Sequence, residues 1–272
     1  MVNGYMATSL REALEIRAAH DVVPYGGGTD LMIAADTSLT YLYVNRIPEM
    51  KQIAVDDAYV RIGASCTFTE VLASPLVPPL MKAAVEQIGA PAIRNGGTMG
   101  GNIGNGSAKA DSVLIEFVLG AKLRLASVRG ERIVPIEAFY KGRKQLDLAK
   151  DELIVEILLP KDADYEWYYE KVGARRALAI SRISFAGLLR CDGDVITDFA
   201  TAFGAVAGTV LRFPDVEAMV IGKTKAEVKA MHDAIVAAYG DHIVPTAGRV
   251  SKEYRKDVCL NLVDDFLMSK GL

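Results

Sequence analysis

The sequence predicts an α+β fold, and three observations carry that expectation. Strand-like and helix-like segments mix along the 272 residues without regular β-α-β alternation, which argues against a doubly wound sheet. Two glycine-rich stretches, residues 25–31 and 93–111, interrupt these segments in the first half of the chain. A charged and aromatic segment at 161–170 then marks a composition change of the kind that crosses between domains. The length suits one large or two smaller domains, and 51% hydrophobic residues suffice for a sizeable core.

Ser9-Leu10-Arg11-Glu12 has the capping-box pattern, and Leu10, Ala13, Leu14 and Ala18 follow at helical spacing. A helix over 9–19 therefore leads into a strand over 22–24. Residues 41–44 and 59–64 are rich in β-forming side chains. Pro78-Pro79 starts a helix in which Leu80, Met81, Ala84, Val85 and Ile88 share one face. Residues 112–119 read as a buried helix, and 122–126 with 132–134 as a hairpin turning at Arg129-Gly130. The β-prone run 153–159 stops at Pro160. Residues 183–189 and 195–203 read as antiparallel strands turning at Asp192-Gly193-Asp194. Thr224-Lys225-Ala226-Glu227 repeats the capping box, and a last helix is expected over 256–268.

The glycine-rich stretches carry the chemistry. Residues 93–111 hold no apolar run long enough for an element with a buried face, so a loop is expected there. Glycines set among Thr98, Asn102, Asn105 and Ser107 suit a backbone whose N–H groups meet phosphate oxygens. Such a stretch also serves as a plain flexible connection. Val22-Val23-Pro24-Tyr25-Gly26-Gly27-Gly28-Thr29-Asp30-Leu31 adds a strand followed by a tight glycine turn. Neither the dinucleotide spacing G-x-G-x-x-G nor a P-loop is present. Two separate glycine loops, each with a threonine, suit a ligand with two linked phosphates.

Other classes lose ground. A net charge of −3 without a basic tract argues against nucleic acid and anionic membrane surfaces as main partners. No eighteen-residue apolar window and no signal pattern at Met1-Val2-Asn3-Gly4-Tyr5 occur, so the chain reads as cytoplasmic. Cys66, Cys191 and Cys259 are far apart, as are His20, His232 and His242. Three free, mostly buried thiols are expected, with neither an iron–sulfur cluster nor a zinc site in this chain.

With both glycine loops placed, the sequence resembles the FAD-binding (medium) subunit of the molybdenum hydroxylases, of the xanthine dehydrogenase and carbon monoxide dehydrogenase type. Gly27-Gly28-Thr29-Asp30-Leu31 is similar to the family's first FAD loop. Ile93-Arg94-Asn95, Thr98-Met99-Gly100-Gly101-Asn102-Ile103 and Asp111 are similar to its second. Val134-Pro135-Ile136-Glu137-Ala138-Phe139, Asp151-Glu152-Leu153-Ile154, the run from Lys171 to Ile180, Phe203-Gly204-Ala205-Val206-Ala207 and Tyr254-Arg255 extend the likeness over nearly the whole chain.

The resemblance implies an FAD-binding region over 1–164, made of two α+β subdomains of the PCMH type (about 1–55 and 56–164). A smaller C-terminal α/β domain with an antiparallel sheet follows over 165–272. It implies that Tyr25, Gly26, Gly27, Gly28, Thr29, Asp30 and Leu31, with Thr98, Met99, Gly100, Gly101 and Asn102, hold the pyrophosphate. Asp111 would accept a ribityl or ribose hydroxyl, Ile88 and Ile154 would line apolar parts of FAD, and Lys171 would approach the flavin end. On the residues alone, Ile88 and Ile154 are ordinary core, Asp111 is as good a helix N-cap ahead of Ser112, and Lys171 is a solvated charge.

The implied function is electron transfer. Electrons would come from iron–sulfur clusters on a partner subunit and pass through FAD to an acceptor. Molybdopterin and [2Fe–2S] clusters would belong to partner subunits only, in a dimer of heterotrimers. No side chain is needed as general acid or base. The alternative is a self-sufficient FAD-dependent oxidoreductase with its own organic substrate. Two departures from the family pattern stand out. Arg175 and Arg176 occupy the neighbourhood where some members carry an aromatic residue over the flavin, and no cysteine-rich insertion is present.

Overall fold

A computed structural model of the chain describes residues 4–161 and 164–272. It divides into two compact units: Met1–Ser107 with Gly120–Lys161, and Ala108–Leu119 with Asp162–Leu272.

In the first unit, the helix Leu10–Ala19 connects two strands of a three-stranded parallel sheet, ordered Gly4–Met6, Tyr41–Tyr43, Val23–Tyr25. Its N-cap differs from a full capping box. Ser9 accepts from the Glu12 N–H, but the Glu12 carboxylate turns one residue further back, to the N–H and hydroxyl of Thr8. A five-stranded antiparallel sheet follows, ordered Ile53–Val55, Tyr59–Gly63, Leu153–Pro160, Lys122–Ser127, Gly130–Pro135. Leu153–Pro160 is central and buried on both faces, which is why its sequence is an apolar run rather than an alternation. The exception is Glu156, which the Arg61 and Arg124 guanidinium groups bracket from the two neighbouring strands at 2.5 and 3.1 Å.

The expected long loop over 93–111 is in part helical. Pro91–Gly96 and Met99–Gly104 each form a short helix despite their glycines. Contacts distant in sequence stabilise them. The Phe68 N–H reaches the Gly97 carbonyl, and the Met99 and Gly100 N–H groups reach the carbonyls of Cys66 and Ala64.

The second unit is built on a three-stranded antiparallel sheet, ordered Glu166–Val172, Ile183–Asp192, Val195–Gly204. The segment read as a crossing therefore supplies the start of an edge strand from Glu166; its residues 162 and 163 lie outside the described residues. One sheet face, with Phe185, Phe199 and Phe203, packs on the helices His232–His242 and Lys252–Ser269 through Tyr239 and Phe266. Gly187 permits this approach, since a Cβ there would stand 2.6 Å from the Phe266 ring. The other face is covered by the helix Asp111–Val118, whose Leu114 lies over Gly204. Thr224 caps Lys225–Ala230 with the full capping box expected from sequence. Cys66 and Cys259 are buried and Cys191 is half-buried, all as free thiols.

Candidate functional site

The first unit brings the two glycine stretches into contact. The strand Val23–Tyr25 ends where the Tyr25 ring packs against Tyr41 and Tyr43, fixing the direction in which the chain leaves the sheet. Gly28 takes a φ of +69°, and a Cβ there would lie 1.9 Å from the Tyr25 hydroxyl. A Cβ on Gly27 would lie 1.6 Å from the Gly96 carbonyl oxygen, and one on Gly26 would lie 2.4 Å from Thr98 Oγ1. The first stretch thus lies backbone-to-backbone on the second, at a distance only glycine allows.

The stretches differ in what they offer a ligand. Among the described residues, the N–H groups of Gly26, Gly27, Gly28, Thr29 and Asp30 have no hydrogen-bond partner. Gly26, Gly27, Gly28 and Thr29 are half-buried or buried and Asp30 is exposed. Unpaired donors in such a place normally meet water or a ligand. In the second stretch the donors from Met99 to Asn102 are used internally. Met99 and Gly100 bond to Cys66 and Ala64, and the Gly101 N–H donates to the capping Thr98 Oγ1 at 3.1 Å. The Asn102 N–H goes to the Thr98 carbonyl at 3.0 Å. Thr98 itself is buried, and Gly100 has no room for a Cβ, which would stand 2.6 Å from that of Ala64. The first stretch is therefore the donor strip, and the second is the support on which it rests.

Leu31 opens the short exposed helix Leu31–Ala34 directly after the donor strip. Ile154 is buried, and its Cδ1 lies under Gly104, at the end of the helix that Thr98 caps. Ile88 is half-buried. Its carbonyl, with that of Gly89, accepts from the Arg94 guanidinium, which ties it to the helix bearing Gly96. Among the described residues, no group of three or more His, Cys, Asp or Glu is placed to hold a metal ion, and no helix is long and apolar enough to cross a membrane.

Asp111 and Lys171 lie in the second unit and meet each other. Lys171 Nζ is 2.7 Å from Asp111 Oδ2, with the two side chains 7% and 5% exposed. Lys171 is thus a buried, paired ammonium and not the solvated charge expected from its type alone. Asp111 is the first residue of the helix Asp111–Val118, and the N-cap position falls on Ala110, so the capping reading of Asp111 does not hold. Sequence reasoning missed Ser181, whose Oγ donates to Asp111 Oδ1 at 2.6 Å. It lies 70 positions from Asp111 and carried no local signal.

The family described as "FAD binding domain in molybdopterin dehydrogenase" matches residues 1–162, and "CO dehydrogenase flavoprotein C-terminal domain" matches 167–269. The xanthine dehydrogenase FAD-binding subunit of Escherichia coli O157:H7 is 29% identical over 262 residues, covering 92% of this chain and 89% of that one. The glyceraldehyde dehydrogenase medium chain of Sulfolobus acidocaldarius is 32% identical over 260 residues, covering 93% and 92%. Among solved structures, a carbon monoxide dehydrogenase from Hydrogenophaga pseudoflava, lacking the Mo-pyranopterin moiety of its cofactor, superimposes with a TM-score of 0.88. It is 27% identical and covers 97% of this chain and 94% of that one. The chain belongs to the family of FAD-binding medium subunits of molybdenum hydroxylases, the xanthine and carbon monoxide dehydrogenase type, and carries that family's FAD-binding domain.

Proposed function

We propose that this chain is the electron-transfer subunit of a molybdenum hydroxylase, taking electrons from iron–sulfur clusters on a partner subunit and passing them through FAD to an acceptor. The observation that carries the reading is the strip of open N–H donors at Gly26, Gly27, Gly28, Thr29 and Asp30. It lies within the residues matched by the FAD-binding family. Preorganised backbone donors suit phosphate oxygens at little entropic cost, so the residues present fit the pyrophosphate of FAD.

In this reading, Tyr25 and Leu31 flank the donor strip. Thr98, Met99, Gly100, Gly101 and Asn102 hold it in place. Ile88 and Ile154 line apolar parts of the cofactor, while Asp111 and Lys171 serve its flavin end. The FAD-binding domain is read as 1–164 and the C-terminal domain as 165–272. When bound, FAD supplies the capacity to collect electrons and hand on a pair; the chain binds and orients it and tunes its potential.

The relatives named above are dehydrogenases of xanthine, glyceraldehyde and carbon monoxide by their names, although each is similar to this one chain. That supports a division of labour in which substrate choice lies in a molybdopterin subunit. A xanthine-like substrate, a cytoplasmic enzyme and a dimer of heterotrimers complete the proposal.

The test is isolation of the native complex by a tag on this chain, followed by gel filtration and cofactor analysis. Two further polypeptides are expected, one with two [2Fe–2S] clusters and one with molybdopterin. A native species containing this polypeptide alone would overturn the reading in favour of a self-sufficient flavin enzyme.

A further inference from the structure

A buried carboxylate needs both of its oxygens satisfied, and Asp111 achieves this through Lys171 on one oxygen and Ser181 on the other. Asp111 Oδ2 meets the Lys171 ammonium at 2.7 Å, while Oδ1 accepts from Ser181 Oγ at 2.6 Å. Ser181 is 2% exposed and Asp111 4%, so water does not substitute easily for that hydroxyl. Ser181 is placed by its own surroundings. The Arg182 N–H bonds to the Val172 carbonyl at 2.8 Å and closes the base of the loop between them. Within the loop, the Arg175 guanidinium turns back onto the carbonyls of Ala177 and Leu178. Lys171 lies directly across from Ser184 on the neighbouring strand, so strand pairing sets its backbone. Pairing leaves the direction of its long side chain open; the Asp111 carboxylate supplies that.

We infer that Ser181 is a positioning residue: by holding Asp111 Oδ1 it fixes the carboxylate that aims the Lys171 ammonium, and so sets how firmly this cation serves the flavin. The inference rests on the reading above in which Lys171 serves the flavin end of FAD. Ser181 itself touches neither cofactor nor substrate in this account. Its removal should loosen the cation without removing any charge.

The experiment uses the full chain, loaded with FAD, in five forms: wild type, Ser181→Ala, Lys171→Met, Asp111→Asn, and Asp111→Asn combined with Ser181→Ala. Two quantities are read on each, the Kd for FAD and the midpoint potential of the bound flavin. Ser181→Ala deletes one oxygen atom and should fold; its thermal transition checks this. It should raise the FAD Kd about ten-fold, the size expected for one hydrogen bond to a charged group. It should also move the flavin potential in the same, more negative direction as Lys171→Met, by a smaller amount. The combined variant should be no weaker than Asp111→Asn alone, since the hydroxyl acts only through that carboxylate. If Lys171→Met shifts both quantities and Ser181→Ala shifts neither, the positioning role is overturned while the flavin-end reading stands. If Lys171→Met itself changes neither, that reading falls and the positioning role falls with it. A merely structural serine would lower the thermal transition and leave the potential where it was, which also overturns the inference.

Discussion

Replacing Gly27 by alanine is the sharpest perturbation of the donor strip. Its Cβ would stand 1.6 Å from the Gly96 carbonyl oxygen, 2.4 Å from the Gly96 carbonyl carbon and 3.0 Å from the Gly97 nitrogen. Real Cβ contacts essentially never fall below 3.0 Å, so the two glycine stretches must separate by at least the 1.4 Å between 1.6 and 3.0 Å. The obstacle is backbone on both sides, so no side-chain rotation relieves it. A hydrogen bond of about 2.9 Å does not survive a displacement of that size. Losing two donors to a charged phosphate, at ~1.5–3 kcal/mol each, weakens FAD binding by ~3–6 kcal/mol, or about 10²–10⁴ in Kd. The assay is titration of the apoprotein with FAD, followed by quenching of flavin fluorescence, with circular dichroism to show that the variant is folded. Gly240→Ala is the control, because that glycine lies within the helix His232–His242 of the second unit and an added Cβ meets nothing nearer than Leu260 Cδ1 at 3.7 Å. A folded Gly27→Ala protein with wild-type affinity for FAD would refute the assignment of the strip.

Three further outcomes are expected. Neither glycine stretch contains histidine or cysteine, so acid precipitation should release the flavin to the supernatant; a yellow pellet would contradict non-covalent binding there. Asp111→Ala takes the carboxylate from a buried lysine and should cost about 3–5 kcal/mol of stability in urea melts, most of it recovered by adding Lys171→Met. Equal losses in the single and double variants would show that the pair is not coupled. Glu116 has no exposed surface and no partner for either carboxyl oxygen among the described residues, and burial pushes its carboxyl well above the ordinary 4.5. The folded chain then keeps a proton that the unfolded chain releases. This stabilisation is complete below 4.5 and is lost as pH rises toward the folded value, by at most ~1.4 kcal/mol per pH unit. Glu116→Gln should therefore gain stability relative to the parent as pH rises above 4.5, and parallel curves for the two proteins would rule that out.

Much of the fold was legible because local chemistry and tertiary context agree. Apart from Glu156, the run 153–159 is apolar because the strand is central in its sheet, and Thr224 to Glu227 caps a helix through atoms within one turn. Residues 93–111 were misjudged where the two disagree. Glycine disfavours helix, yet Met99–Gly104 is helical because Ala64, Cys66 and Thr98 take up its first N–H groups. Those partners lie more than thirty positions upstream, except Thr98, and no periodicity announces them. The candidate site shows the same division. Its glycines were visible as a composition signal, but the sequence did not say which stretch has open donors. That depends on Gly27 lying against Gly96, a contact across 69 positions. The pairing of Asp111 with Lys171 and Ser181 was equally silent, because hydrogen bonds spanning 60 and 70 positions leave no local pattern.

The most direct test of the account is electron delivery to the flavin of this chain. The FAD-loaded chain is mixed anaerobically with the chemically reduced iron–sulfur subunit from the same native complex, and flavin absorbance is followed. Bleaching of the flavin by the reduced partner is expected, and none when a hydroxylatable heteroaromatic substrate is added to the chain alone. A flavin that stays oxidised with the partner, or that bleaches with the substrate alone, would contradict it.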